Sequence, residues 1–111
     1  MKVSDLVTQL NLQVVTGADS LDREIQDCYI CDMLSLVMAR AKEGDVWITV
    51  QTNINTVAVA ALSDCACVII PDDIDIEEAT TARAAEKDVT LLKSSDSAFK
   101  IAYNIGKEIL S

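Results

Sequence analysis

Hydrophobic and polar positions follow one another in two rhythms along the chain. Short apolar runs rich in β-branched residues predict strands at 12–15, 25–30, 46–50, 67–70 and 89–92. Between these runs, apolar residues spaced three and four apart predict helices. From residue 32 onward, helices and strands alternate, which is typical of right-handed crossovers in a mostly parallel sheet covered by helices. We therefore expect an α/β fold, to which the first two strands add an antiparallel or barrel-like extension.

Polar and small residues mark the ends of the predicted helices. Asp32 is the expected N-cap of the second helix, and Gly44 is expected to stop that helix. Asn53 or Thr52 opens the third helix, and a residue within 94–96 caps the last one. The apolar faces predicted for the third and last helices comprise, respectively, Val57, Ala58, Ala61 and Leu62, and Phe99, Ala102, Tyr103, Gly106 and Leu110.

Length and charge narrow the choice of partners. The 111 residues suit one domain, 1–111, and half of them are hydrophobic. A net charge of −9 repels phosphate backbones and anionic lipid, so neither nucleic acid nor membrane is an expected partner. No apolar run approaches the roughly 18 residues that span a bilayer. We expect a cytoplasmic protein whose four cysteines are reduced.

Several common kinds of catalytic site are excluded by composition. The chain has no histidine, so it has neither a Ser-His-Asp triad nor the commonest general base. Its three glycines lie far apart, which excludes a P-loop and a dinucleotide-binding fingerprint. We expect no cofactor and no catalytic residue.

Two groups of residues could bind metal. The cysteine pairs Cys28/Cys31 and Cys65/Cys67 could supply four thiolates to zinc or to an iron–sulfur cluster. The second pair precedes and begins a buried strand, however, where cysteine behaves as a small hydrophobic residue, so we expect metal-free core thiols. The acidic run 72–78 could hold a hard cation, but acids are also favoured in the first turn of a helix, and we prefer that interpretation.

Polar residues that follow a core strand form the most informative cluster. Gln51 and Thr52 leave the 46–50 strand, and Asn55 lies in the first turn of the next helix. In parallel α/β sheets, ligands bind at the carboxyl ends of the strands. Arg23 could meet either Asp32 or an anionic ligand at this edge. The predicted ligand site therefore comprises Asp22, Arg23, Asp32, Gln51, Thr52 and Asn55, and the alternative is that these residues only cap and support the fold.

The order of these segments resembles a known family. Segments 21–25 (LDREI), 29–35 (YICDMLS), 44–52 (GDVWITVQT) and 55–60 (NTVAVA) are similar to the DRTGG domain, and the likeness extends through 67–70 and 97–99. The family is named after the sequence Asp-Arg-Thr-Gly-Gly. This chain has the Asp-Arg as Asp22 and Arg23 but lacks the Thr-Gly-Gly. Asn53 also stands where many relatives carry histidine.

The resemblance implies a fold like the N-terminal domain of HPr kinase/phosphorylase, without its catalytic P-loop. DRTGG domains occur as accessory modules beside CBS domains in regulated pyrophosphatases and within some phosphotransacetylases. The family thus implies a non-catalytic module that senses a ligand or forms a dimer.

Three functions compete at this point. The leading one is a non-catalytic regulatory module, most simply a homodimer, that binds a small anionic or nucleotide ligand or a partner protein. Its apolar helix faces around residues 58–61 and 79–85 could support self-association. The second is a small enzyme that uses Asp22, Arg23, Asp32 and Asn55 on phosphate- or carboxylate-bearing substrates. The third is a metal- or redox-linked accessory protein that uses the four cysteines.

Overall fold

Short strands and helices alternate through residues 1–110, the part of the chain that the computed structural model describes. The helices are α1 (Val3–Gln9), α2 (Leu34–Arg40), α3 (Ile54–Ser63), α4 (Glu78–Glu86) and α5 (Ala98–Ile109). The strands are β1 (Gln13–Thr16), β2 (Asp27–Ile30), β3 (Asp45–Ile48), β4 (Cys67–Ile70) and β5 (Leu91–Lys93). A short 3-10 helix, Ala18–Ser20, follows β1.

The five strands form one sheet in the order β1-β5-β4-β3-β2. Strands β2 to β5 are parallel, and β1 pairs antiparallel with β5. The predicted α/β fold with a mostly parallel sheet is therefore confirmed. The antiparallel extension is β1 alone, because β2 joins the opposite edge of the sheet in the parallel direction.

Helices cover both faces of the sheet and create two hydrophobic layers. On one face, Ile48 and Ile69 pack with residues of α1 and α5. On the other face, Trp47 and Val68 pack with α2, α3 and α4. Alternate residues of β3 and β4 thus enter opposite layers, which is why these strands read as continuous apolar runs. Each fully buried aliphatic side chain stabilises the fold by about 1.5–3 kcal/mol.

Three predicted helix boundaries are wrong. Met33, not Asp32, is the N-cap of α2, since the Asp32 carboxylate accepts hydrogen bonds from the loop after β3 instead. The same helix ends at Arg40, and Gly44, with φ +85°, lies in the turn before β3. The last helix is capped by Ser97, whose hydroxyl accepts from the Lys100 amide. In each case the expected capping residue lies in a turn or makes a longer-range contact instead.

Two predicted apolar helix faces point mostly to solvent, although Val57 is buried and Ala102 packs against the core. In α3, Val57 is buried as expected, but Ala58, Ala61 and Leu62 are exposed, and the helix turns Thr56, Val59 and Ala60 inward. In α5, Ile101 and Ile105 enter the core. The side that carries Phe99, Tyr103 and Leu110 is exposed by 77%, 61% and 80% at those positions.

Candidate functional site

A polar network joins the carboxyl ends of β2 and β3. The Asp32 carboxylate oxygen Oδ1 accepts from the Thr49 hydroxyl at 2.8 Å and from the Val50 amide at 2.9 Å. The Gln51 side-chain amide donates to the Asp32 carbonyl oxygen at 2.9 Å. Thr49 is buried, whereas Asp32 is exposed, so the network extends from the core to the surface. These bonds fix the two strand ends relative to one another.

The network continues into the first turn of α3. The Asn53 side chain donates to Gln51 Oε1 at 3.1 Å and accepts from the Asn55 amide at 2.9 Å. The Thr56 hydroxyl donates to the Gln51 carbonyl oxygen at 3.0 Å. Asn53 is therefore a capping residue, as expected, and asparagine suits this position because its short amide reaches both partners.

Arg23 lies at the opposite end of the sheet. Its Nη1 is 2.9 Å from Asp64 Oδ1 and 3.3 Å from the Cys65 carbonyl oxygen, and its Nη2 is 2.7 Å from the Asp64 carbonyl oxygen. Asp64 is the C-cap of α3, just before β4 begins. The guanidinium thus satisfies carbonyl groups at a helix C-terminus, where a cation is favoured.

The Asp22 to Ile25 segment also holds the N-terminal helix. The Val3 amide donates to the Arg23 carbonyl oxygen, and the Ile25 amide donates to the Met1 carbonyl oxygen. The Met1 amino group is 3.2 Å from Glu24. Ile25 is buried in the core, and none of residues 24–28 has a positive φ. The local backbone therefore has no conformational need for the glycines of the family name.

The six predicted site residues fall into two groups. Asp32, Gln51, Thr52 and Asn55 come together at the carboxyl edge, whereas Asp22 and Arg23 lie near the amino ends of the strands. The Arg23 end lies near residue 45 and the Asp32 end near residue 49. These two positions of β3 and its extension are about 13 Å apart, at about 3.3 Å per residue. Asp32, one of the two partners that the sequence allows for Arg23, is wrong, because the guanidinium binds Asp64 and the Cys65 carbonyl oxygen.

Sequence reasoning missed Thr49 as part of this cluster. The sequence pattern places Thr49 in the 46–50 strand, yet its hydroxyl donates to Asp32 and accepts from the Gln51 backbone amide at 3.2 Å. The signal was a threonine at the end of an otherwise apolar run, since a buried hydroxyl needs hydrogen-bond partners. We define the carboxyl rim as Asp32, Thr49, Gln51, Thr52, Asn53 and Asn55.

Exposed apolar residues are neighbours of the carboxyl rim along the chain. Ile30 ends β2, Met33 follows Asp32, Val50 donates its amide to Asp32, and Ile54 follows Asn53. All four are exposed. The rim therefore combines hydrogen-bonded polar groups with adjacent exposed apolar side chains, and this combination suits a ligand or partner with both polar and apolar surface.

The acidic run after β4 is mostly a loop. Helix α4 begins only at Glu78, so the expected role of the acids in a first helical turn applies to that residue alone. Asp72 and Asp73 have positive φ values, and Lys93 Nζ is 3.5 Å from carboxylates of Asp73 and Asp75. No group of three or more His, Cys, Asp or Glu side chains within residues 1–110 is arranged to hold a metal ion.

The cysteines are unpaired, and three of them lie near one another by the core. Burial raises the pKa of Cys28 to about 12 and that of Cys65 to about 11, and it also raises the pKa of Cys67. Cys28 and Cys67 face Val46 from either side, so their backbones are about 10 Å apart, which is too far for a disulfide. High thiol pKa values disfavour the thiolate that metal binding and redox chemistry need.

A cleft of about 440 Å³ lies beside Arg23. Its other lining residues are Glu24, Gln26, Glu43 and Gly44. Because the guanidinium already binds Asp64, two glutamates dominate the remaining charge, and the cleft does not suit an anion.

Together, the sheet order, the crossover helices and the polar groups at the strand ends define a mostly parallel α/β domain. No helix within residues 1–110 is both long and apolar enough to cross a membrane. The chain belongs to the DRTGG domain family, whose pattern matches residues 5–107. Comparison with curated proteins gives no significant match.

A solved structure with the same fold comprises the CBS and DRTGG domains of the regulatory region of Clostridium perfringens pyrophosphatase, complexed with the activator diadenosine tetraphosphate. It superposes with a TM-score of 0.74 at 11% sequence identity. The match covers 91% of this chain and 44% of the other, so this chain corresponds to less than half of that regulatory region. At this identity the likeness shows the fold alone.

Proposed function

We propose that this chain is a non-catalytic, ligand-sensing regulatory domain that self-associates in the cytoplasm. The carboxyl rim carries the proposal, because its polar groups bond to one another and form a rigid platform. Such a platform suits recognition, whereas an enzyme needs a nucleophile or a base that is held ready to react. The membership in the DRTGG family and the regulatory origin of the similar structure support the same class.

The rim leaves a small set of groups for a ligand. Within residues 1–110, the Thr52 hydroxyl and the Asn55 side-chain amide take no part in the internal network. Both hydrogen bonds to the Asp32 carboxylate use Oδ1, which leaves Oδ2 open. We infer that a ligand bonds to these three groups while its apolar part covers the Met33 and Val50 side chains.

Nucleotides are the first class to screen. The similar pyrophosphatase region was crystallised with a dinucleoside polyphosphate, and a base could occupy a partly apolar platform. The rim keeps the Asp32 carboxylate but not Arg23, so a polyphosphate would need a divalent cation to offset the like charge. Nucleosides, nucleotides and dinucleotides should therefore be compared with and without Mg²⁺.

Thermal shift followed by calorimetry tests the proposal. A ligand at one hundred times its Kd stabilises the folded state by about 2.7 kcal/mol, so even weak binders raise the melting temperature. We expect a combined Thr52→Ala and Asn55→Ala variant to weaken binding at least tenfold. Gln9→Ala, which removes an exposed amide from α1, serves as the control and should bind like the wild type. Equal affinity of the rim variant and wild type would remove the site.

The competing functions lose their main support. The enzyme hypothesis needs Asp22 and Arg23 beside Asp32 and Asn55, and these pairs lie at opposite ends of the sheet. The metal and redox hypothesis needs accessible thiolates, whereas burial raises the pKa of three of the four thiols. Iron and zinc analysis of anaerobically purified protein would revive the third hypothesis if it found a stoichiometric metal.

A further inference from the structure

Helix α5 has two apolar stripes, only one of which the fold uses. Ile101 and Ile105 are fully buried against the sheet. Phe99, Tyr103 and Leu110 lie on the other side and are exposed by 77%, 61% and 80%. Two exposed aromatic rings and a leucine on one line are costly to hydrate, and apolar patches of this kind mark interaction surfaces.

Gly106 lies on the same line, where its carbonyl oxygen accepts from the Leu110 amide and its Cα carries no side chain. Its spacing from Tyr103 and Leu110 completes a four-three-four pattern, the repeat by which two helices pack along a seam. A methyl group at this position would meet only Leu110 Cδ1, at 3.7 Å. Glycine inside a helix lowers stability relative to alanine. The missing side chain leaves a notch in the apolar stripe.

We propose that this stripe docks antiparallel against the same stripe of a second copy. An antiparallel arrangement centred between Tyr103 and Gly106 places each Tyr103 ring over the glycine notch of the other copy. It also places each Phe99 against the Leu110 of the other copy. One surface is then complementary to itself, as a two-fold interface requires. This inference rests on the proposed self-association and names its surface.

The available area agrees with a weak dimer. Because an aromatic side chain buries about 150–250 Å² when enclosed, the three exposed fractions amount to about 400 Å² per copy. Two copies, together with the aliphatic stems of neighbouring lysines, would bury about 1,000 Å² in total. This is close to the smallest total area that specific interfaces bury. Since even interfaces of standard size can have Kd values as weak as micromolar, we expect this smaller one to associate reversibly with a Kd in the micromolar range or weaker.

The charge of α5 also suits this choice of surface. The helix carries Lys100, Lys107 and Glu108, although the whole chain has a net charge of −9. With two lysines and one glutamate, α5 has a net charge of about +1 and does not itself add to the repulsion between two anionic copies. The Lys107 ammonium lies 5.5 Å from the Tyr103 ring centroid, which helps to hold the ring in place. Since two anionic copies repel one another, added salt should strengthen the dimer.

The exposed alanines of α3 and α4, which the sequence suggested as association surfaces, contribute less. Ala58, Ala61, Ala79, Ala82 and Ala85 are exposed, but each offers only a methyl group. Leu62 is exposed by 73% and is the more exposed of the two large apolar side chains of α3 that face solvent, since Ile54 is exposed by 38%. It provides a matched control, because it is as exposed as Phe99 but lies on a different helix.

Sedimentation velocity of the full chain from about 1 to 300 μM, without ligand, tests the proposal over the expected range of Kd. Phe99→Glu with Tyr103→Glu should raise Kd at least thirtyfold, whereas Leu62→Glu should leave it unchanged. Gly106→Leu is the sharper variant, because it adds apolar surface but fills the notch. If the stripe docks specifically, Gly106→Leu should raise the dimer Kd at least tenfold. If the association is non-specific and apolar, the added side chain should lower the Kd instead. Fluorescence of the buried Trp47 verifies the fold of each variant.

The outcomes separate this inference from the proposed function. A wild-type chain that stays monomeric at the highest concentration overturns both self-association and this surface, and leaves the stripe to a different protein. A dimer that survives the Phe99 and Tyr103 changes overturns the surface alone. Ligand binding is measured separately on the monomeric variant, so loss of the dimer does not count against the carboxyl rim.

Discussion

Replacing Arg23 distinguishes a structural clamp from a binding residue. In Arg23→Ala, two carbonyl oxygens at the end of α3 lose a charged donor, and the Asp64 carboxylate loses its ion-pair partner. Hydrogen bonds to a charged group contribute about 1.5–3 kcal/mol, and exposed ion pairs about 0–1 kcal/mol. The Arg23 and Asp64 side chains are 33% and 59% exposed, so water replaces part of what is lost. We expect the free energy of unfolding to fall by about 1.5–2.5 kcal/mol.

The size of this loss follows from where the charges lie. Asp64 is exposed, so the variant does not strand a buried carboxylate, which would cost about 3–5 kcal/mol. Arg23→Lys keeps the charge but loses the planar fork, and we expect roughly half the loss of the alanine variant. Arg83→Ala is the control, because within residues 1–110 the exposed Arg83 pairs only with the exposed Glu86, at 3.7 Å, and its loss should change stability by less than about 0.5 kcal/mol.

Urea unfolding followed by Trp47 fluorescence measures these differences. Trp47 is the single tryptophan, is fully buried, and donates from Nε1 to the Cys31 carbonyl oxygen at 2.8 Å, so its emission reports unfolding of the core. Ligands found by thermal shift should bind Arg23→Ala as they bind the wild type. If Arg23→Ala loses ligand binding while its stability changes by less than about 0.5 kcal/mol, Arg23 belongs to the site after all.

Three further changes test other parts of the structure. Asp32→Ala leaves the buried Thr49 hydroxyl without an acceptor, so urea unfolding should show that the free energy of unfolding falls by about 1–2 kcal/mol. The control Asp22→Ala, at an exposed position, should lower it by less than about 0.5 kcal/mol, and equal losses would contradict the network. Gly17 has φ +87°, and an added methyl group would clash with the Thr90 side chain and backbone, so Gly17→Ala should lower the melting temperature by about 10 °C or more; an unchanged value would show that the turn can rearrange. The three thiols with raised pKa values stay protonated in the folded chain above pH 9, whereas the same thiols ionise in the unfolded chain. The free energy of unfolding should therefore fall between pH 9 and 11, by at most about 1.4 kcal/mol per pH unit for each thiol. An alanine triple variant that keeps the full slope would contradict this assignment.

The sheet could be predicted from the sequence because its signals are local. Short β-branched runs such as Asp45–Ile48 and Cys67–Ile70 are buried on both faces, and the helices between them require parallel crossovers. The phase of the helices was harder to predict. In α3 apolar residues surround most of the helix, so spacing alone does not decide whether Ala58 or Val59 faces the sheet. In α5 two apolar stripes compete, and the one with Ile101 fits the core.

The candidate site was predictable only as far as its contacts are short in sequence. Gln51, Asn53 and Asn55 lie within one loop and helix start, and their cap was expected. Arg23 binds a residue 41 positions away, and a charged side chain does not reveal which distant partner it meets. Asp32 resembled an N-cap because acids favour that position, but its donors lie 17 and 18 positions further along the chain. A long-range pairing thus overrode a local preference.

The placement of Arg23 also changes what the carboxyl rim can bind. The predicted site combined a cation with amides and a carboxylate, which suited an anion. With the guanidinium bound to Asp64, the remaining rim side chains are one carboxylate, amides and hydroxyls. Such a set donates and accepts hydrogen bonds but offers no side-chain cation, so a neutral group such as a nucleobase should provide most of the affinity. A nucleoside should then bind more tightly than its polyphosphate in the absence of Mg²⁺, and Asp32→Asn, which removes the like charge, should improve binding of the polyphosphate alone. If the polyphosphate instead binds more tightly than the nucleoside without a divalent ion, the ligand occupies a different surface.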